Sequence, residues 1–263
     1  MTGSRDAGDV LLSAERVSLS FGGVQALSDV SLCVRSREVC AIIGPNGAGK
    51  TSLLNVLNGV YHPDDGMITF RGVTRRRMSP HQTARQGISR TFQNIALFRG
   101  MTVLDNVMAG RGILMTTPFL WQAFAFGRLR KEELTHRRRA EEIIDFLEIE
   151  AVRKTPTGQL AYGLQKRVEL GRALAAEPTL LLLDEPMAGM NLEEKQDMCR
   201  FLLEAHRALG VTIVLIEHDM SVVMDISDHV VVLDCGRVIA DGTPETVRHD
   251  PRVIDAYLGV AHA

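Results

Sequence analysis

The sequence predicts an α/β fold with a mostly parallel sheet core, an N-terminal antiparallel β-subdomain and an inserted α-helical subdomain. Three observations predict it. In the second half, "TLLLLDEP", "VTIVLIEH" and "HVVVLDCG" are apolar strands separated by helical stretches, the alternation that gives a mostly parallel sheet with covered faces. "GPNGAGKT", Gly44 to Thr51, follows an apolar strand and opens a helix. Between these regions, from about Gly87 to Glu150, the apolar residues recur at helical spacing.

In chain order, residues 10–43 read as strands: "RVSLSF", "ALSDVSLCV" and "EVCAIIG" alternate or run apolar between turn signals. The first buried strand ends at Gly44. A helix starts inside "GKTSLLNVLNG" and closes at Gly59, where a terminal glycine commonly sits, and "HPDDG" turns into the strand "MITFRG". The helical block holds "TVLDNVMAG", the aromatic run Pro118 to Phe126 with the single tryptophan Trp121, and "KEELTHRRRAEEIIDFLEI". The aromatic run reads as subdomain core, as part of a groove that receives a partner's helix, or as both. "LAYGLQKRVELGRALA", Leu160 to Ala175, is a glycine-containing turn running into a helix, a second start that offers backbone N–H groups to an anion. The chain is expected to be one domain, residues 1–263, with the helical subdomain at 94–175 and a helical tail at 241–263.

Composition narrows the classes. A net charge of −2 argues against general polyanion affinity. Arg137, Arg138 and Arg139 are flanked by Glu132, Glu133, Glu141 and Glu142 at helical spacings, which reads as an ion-paired face and not as a nucleic-acid stripe. Cys33, Cys40, Cys199 and Cys235 form no CxxC pair, so a reducing compartment without structural zinc is expected. No basic-then-apolar leader opens the chain, and the apolar runs fall short of the roughly 20 residues that span a bilayer. A membrane role is expected to work through docking.

The phosphate loop carries the first chemistry. Gly44, Pro45, Asn46, Gly47, Ala48 and Gly49 form a loop whose glycines let successive N–H groups converge on a β-phosphate, with Ser52 just beyond. Lys50 brings a point charge to the β and γ oxygens, and Thr51 offers its hydroxyl to Mg2+. "LLLLDEP" ends a buried strand in two carboxylates: Asp184 is assigned to magnesium, through water, and Glu185 to orienting the attacking water and taking its proton. Gln93 after "ISRTF" and His218 after "VTIVLIE" stand at further strand ends.

With these residues in place, the sequence resembles the ATP-binding subunits of ABC transporters over nearly its whole length. The resemblance implies a P-loop NTPase of the ABC cassette type, an ATPase with ATP and Mg2+ as cofactors. It implies that Phe21 stacks on adenine, that Gln93 contacts magnesium and the water while sensing a membrane subunit, and that His218 touches the γ-phosphate. The signature motif, usually Leu-Ser-Gly-Gly-Gln, stands here as Ala161, Tyr162, Gly163, Leu164 and Gln165, with tyrosine for the serine and leucine for the second glycine. Asn191 stands where the loop after the glutamate usually has aspartate, and the resemblance implies that it and the signature residues face the nucleotide held by a partner subunit. "LAYG", "AGMN", "IEHDM" and the tail "DGTPETVRHDPRVIDAYLG" are similar to the LivG-type ATPases of branched-chain amino acid importers. Relatives that serve urea, short amides, aromatic acids or lipopolysaccharide export are also similar. The implied partners are a second ATPase subunit, identical or not, two integral membrane permease subunits, a periplasmic or lipid-anchored solute-binding protein acting indirectly, and no nucleic acid. The implied location is the cytoplasmic face of the bacterial inner membrane. A soluble ABC ATPase acting on DNA or ribosomes would carry a long coiled-coil insertion or tandem cassettes, and a non-hydrolysing cassette would lack Glu185 or His218.

Overall fold

The computed structural model describes residues 9–91, 95–115 and 126–258, so Gln93 and the aromatic run from Pro118 to Ala125 lie outside the described residues. The chain begins with β1 (Val10–Phe21), β2 (Val24–Arg35), β3 (Val39–Ile43), α1 (Lys50–Leu57), β4 (Asp65–Phe70), β5 (Val73–Arg75) and α2 (Pro80–Arg85). It continues with β6 (Ile88–Arg90), α3 (Val103–Gly110), α4 (Phe126–Phe146), α5 (Tyr162–Leu174), β7 (Leu180–Asp184) and α6 (Leu192–Leu209). It closes with β8 (Thr212–Ile216), α7 (Met220–Ile226), β9 (His229–Asp234), β10 (Arg237–Gly242), α8 (Pro244–Arg248) and α9 (Pro251–Leu258). Two compact units result: one combines the chain up to Thr83 with the chain from His206 onward, and the other is Ala84–Ala205.

In the first unit, β2-β1-β4-β5 form an antiparallel sheet. Along β2, Val30, Leu32 and Val34 are buried while Ser31 and Cys33 between them are exposed, the period of two that lets one face pack and the other meet water. β1 and β2 join at a tight hairpin of Gly22 and Gly23, where Phe21 pairs with Val24. β3 behaves differently. It is buried at every residue because β8 and β9 both pair with it in parallel, and β10 runs antiparallel to β9. The expected glycine stop of α1 is present: Gly59, at φ 73°, donates its N–H to Val56 O at 3.0 Å.

The tail departs from the helical expectation at its first residues. Asp241 and Gly242 pair with Val231 and Val230 as the end of β10, and helix resumes only at Pro244, behind the Thr243 cap. A side-chain cluster accounts for this. His229 is buried with Nε2 2.6 Å from Asp241 Oδ1 and Nδ1 3.5 Å from Glu38 Oε1. Burial opposes its charge, but Asp241, Cys40 and Glu38 outweigh that and hold its pKa at about 12.

In the second unit, β6 pairs in parallel with β7, so the block after Gly87 opens as a strand before its helices. α3 starts in a capping box of Thr102 and Asp105 and packs against α4 and α5. Val107, Ile144, Leu147, Val168 and Leu174 are buried there, each contributing about 1.5–3 kcal/mol by leaving water. Buried Asn106 shapes the preceding loop: its Oδ1 accepts from Phe98 N at 2.9 Å and its amide donates to Thr102 O at 3.0 Å. On α4, Arg139 bonds Glu142 at 2.7 Å in the open, as the charge pattern predicts.

Candidate functional site

In the first unit, the chain leaves β3 at Gly44 and re-enters regular structure at Lys50. Gly49 holds the N-cap position at φ 97°, and a Cβ there would lie 2.6 Å from Ala26 O and 3.0 Å from the Leu27 side chain. Only glycine fits, because the positive φ and the close pass of β2 exclude a side chain at the same residue. Lys50 is 6% exposed, and its Nζ donates to Gly44 O at 2.8 Å and to Pro45 O at 2.9 Å. The lysine thus closes its own loop, which carries the backbone N–H groups of residues 46–49. Thr51 is exposed and Ser52 half-buried at the first turn of α1, whose first N–H groups face the same loop. This is a cradle for phosphate with a built-in cation. Phe21 is exposed at the hairpin beside this region, and His218 is exposed just beyond the end of β8.

In the second unit, β7 delivers Asp184 and Glu185. Asp184 is 1% exposed, and Arg90 from β6 donates to its Oδ2 at 2.9 Å. A buried carboxylate needs a partner, and the parallel register that sets Arg90 opposite Leu182 supplies it. Arg90 is a site residue that the sequence did not reveal; the only signal was a charged residue in the short strand "ISR". Glu185 is only half-buried and adopts φ 50°, a left-handed backbone that glutamate rarely takes.

α5 begins at Tyr162 with Ala161 as N-cap and no side-chain cap, so its first N–H groups keep their capacity for an anion. Each predicted signature residue has a definite place. The Tyr162 ring is exposed and lies on Gly189, in the loop after Glu185, with Lys166 Nζ 5.8 Å from its centroid. A Cβ at Gly163 would fall 2.2 Å from Glu194 Oε1. Glu194 cannot readily retreat, because Asn191 N donates to its Oε2 at 3.0 Å while its own N–H donates to Asn191 Oδ1 at 2.9 Å. Asn191 therefore caps α6 within its own chain. Gln165 likewise donates to Leu160 O at 2.8 Å, and Leu164 is half-buried. Two further residues escaped the sequence reading. Glu169 accepts from Ala96 N at 3.5 Å and Arg172 donates to Ala96 O at 2.5 Å, so α5 grips the segment that follows Gln93 by both polar groups of one peptide residue.

Among the described residues no helix is long and apolar enough to cross a membrane. The family described as ABC transporter matches residues 27–188, and the family described as branched-chain amino acid ATP-binding cassette transporter matches residues 237–263. The chain is 42% identical to the high-affinity branched-chain amino acid transport ATP-binding protein LivG of Salmonella typhimurium, covering 95% of this chain and 98% of that one. It is 39% identical, with the same coverage, to the corresponding protein BraF of Pseudomonas aeruginosa. Among solved structures, a nucleotide-free ATP-binding cassette from an ABC transporter superimposes with a TM-score of 0.83 at 32% identity, over 95% of this chain and 99% of the other. The ADP conformation of an ABC transporter cassette gives 0.82 at 32% identity with the same coverage.

Proposed function

The chain belongs to the ABC transporter family, and from that premise we propose that it is the ATP-hydrolysing subunit of an importer that takes up branched-chain amino acids. The observation that carries the substrate class is the match of residues 237–263 to the branched-chain cassette family, a segment outside the general cassette.

Lys50 and the backbone N–H groups of residues 46–49 hold the β- and γ-phosphates, and Phe21 stacks on the adenine. Thr51, Asp184 and Gln93 are the residues that would hold Mg2+, which when bound neutralises charge on the β and γ oxygens. The donor chemistry fits, a hydroxyl and a carboxylate being hard oxygen ligands. Glu185 orients a water and accepts its proton, and His218 touches the γ-phosphate. In a dimer of cassettes, the backbone start of α5 and Tyr162 cover the partner's nucleotide. Gln165 and Asn191 support that surface from behind, since both side chains are engaged in their own chain.

The membrane subunits dock on the block around residues 93–126. Phe98 at 55%, Met101 at 38% and Met115 at 42% exposure give it apolar surface. The complex works peripherally at the cytoplasmic face of the inner membrane, with a solute-binding protein on the far side.

The test is the chain reconstituted with its membrane subunits and binding protein in vesicles. ATP-dependent leucine, isoleucine or valine uptake is expected, abolished by Glu185→Gln. Uptake of urea, a short amide or an aromatic acid instead would redirect the substrate, and no coupled uptake would remove the importer role.

A further inference from the structure

Two aromatic side chains stand together on the surface of the first unit without belonging to its core. Phe21 is 44% exposed and Tyr61 is 37% exposed, yet their ring centroids are 5.0 Å apart with planes at 69°, an edge-to-face pair. Sequence places them forty residues apart, and a specific set of bonds brings them together. Tyr61 N donates to Asn55 O at 3.1 Å, which anchors the tyrosine to the end of α1. Asp64 then ties the same loop to β1: its N–H donates to Ser18 O at 2.8 Å, and its Oδ2 accepts from Ser20 N at 2.7 Å. Ser20 is the neighbour of Phe21. The loop is therefore fixed to the strand next to the phenylalanine, and the two rings have little freedom to part.

The hairpin that carries Phe21 continues directly into Ala26 and Leu27, which press on Gly49 of the phosphate loop. An exposed aromatic corner thus stands on the strand pair that also walls the phosphate cradle.

We propose that Tyr61 is a positioning residue for the nucleobase: it holds the Phe21 ring edge-to-face so that the free face of Phe21 meets a purine in one orientation. This rests on the reading of Phe21 as the adenine-stacking residue. A phenylalanine at a two-glycine hairpin would otherwise turn about its side-chain bonds, and the base would have to stop that motion on binding. With Tyr61 beside it, the ring is already set. The quadrupoles favour a perpendicular neighbour on one side and an offset-stacked base on the other. The hydroxyl of Tyr61 plays no part in this, so phenylalanine serves equally well at position 61.

The test uses the purified full chain, with ATP and inorganic tripolyphosphate as the two probes, measured by calorimetry and by steady-state hydrolysis. For Tyr61→Leu, ATP affinity falls and KM for ATP rises by about 3- to 10-fold, the range an aromatic pair supports, while kcat holds. Tyr61→Phe restores the wild-type values, and tripolyphosphate affinity is the same in all variants because it has no base. Phe21→Leu is the control for the underlying reading. If Phe21→Leu weakens ATP and Tyr61→Leu does not, the positioning role is overturned and the stacking role stands. If neither weakens ATP, both are overturned. Equal loss of ATP and tripolyphosphate in Tyr61→Leu would show damage to the phosphate cradle and would also overturn the proposal.

Discussion

The starts of α1 and α5 are both helix N-termini without a side-chain cap, and they are built in opposite ways. At α1 the chain wraps a glycine loop around the site and brings its own cation: Lys50 is buried and already bonded to two loop carbonyls. At α5 there is no wrapping loop, the N-cap is an alanine without a capping bond, and the nearest lysine, Lys166, is buried 3.9 Å from Glu169. The first start is equipped to bind phosphate alone. The second offers only backbone dipoles and a tyrosine face, which add to a site but do not make one. That difference in equipment is what the proposed dimer of cassettes would use, one start from each chain.

The largest expected effects test the self-sufficient start and the carboxylate assigned to the attacking water. Lys50→Ala should abolish measurable ATP affinity of the isolated chain, and Glu185→Gln should keep affinity while hydrolysis falls by ~10²–10⁴. Retained affinity in Lys50→Ala, measured by calorimetry, would erase the contrast with α5. Next in size is Gly163→Ala. The added methyl meets Glu194, an overpacking cost of about 1–3 kcal/mol at the helix start. Turnover of the assembled complex should drop about tenfold while ATP affinity of the isolated chain stays unchanged, and Glu194→Ala in the same chain should recover part of the loss. A fall in the isolated chain's ATP affinity would mean that α5 serves its own nucleotide. A charged residue at position 163 would be a poorer probe, since its first neighbour is Glu194 and not a partner's phosphate.

Smaller effects sharpen the assignment of support roles. Asn191→Ala should cost about 1 kcal/mol through the lost cap, seen as a lower midpoint in thermal unfolding, with ATP-dependent dimerisation preserved. Loss of dimerisation at unchanged stability would move Asn191 to the partner-facing surface. Away from both starts, His229 gives a test in pH that leaves the nucleotide site untouched. Its folded-state pKa of about 12 lies above the unfolded value near 6.5, so its stabilising contribution is complete below about pH 6.5 and declines as pH rises toward 12. Wild-type stability should fall more steeply between pH 7 and 10 than that of His229→Gln, in denaturant titrations at each pH.

Much of this was legible in the sequence because local rules and tertiary demands agree there. The buried run of β3, the glycine loop and the acids ending β7 each declare themselves within eight residues. Gly59 likewise marks the end of α1. What stayed hidden depends on register or on distant neighbours. Arg90 meets Asp184 through strand pairing, Glu194 explains Gly163 only once α6 is capped by Asn191, and Tyr61 reaches Phe21 through bonds made by Asp64. The strand character of Asp241 was hidden for the same reason, since its partner is the imidazole of His229. The roles that resemblance gave to Gln165 and Asn191 could not reveal that both side chains are used at home.

The backbone of Glu185 has a consequence for anyone who sets out to make this protein more robust. A left-handed conformation suits glycine or asparagine better than glutamate, so the chain keeps an ill-matched residue at that position. A screen scored on melting temperature alone would be drawn to position 185 among the first, and Glu185→Asn should come through it unharmed or improved. The same substitution would withdraw the carboxylate assigned to the attacking water. Heat resistance and turnover therefore pull in opposite directions at one residue, and selection for the first would quietly yield a cassette that holds ATP and does not spend it.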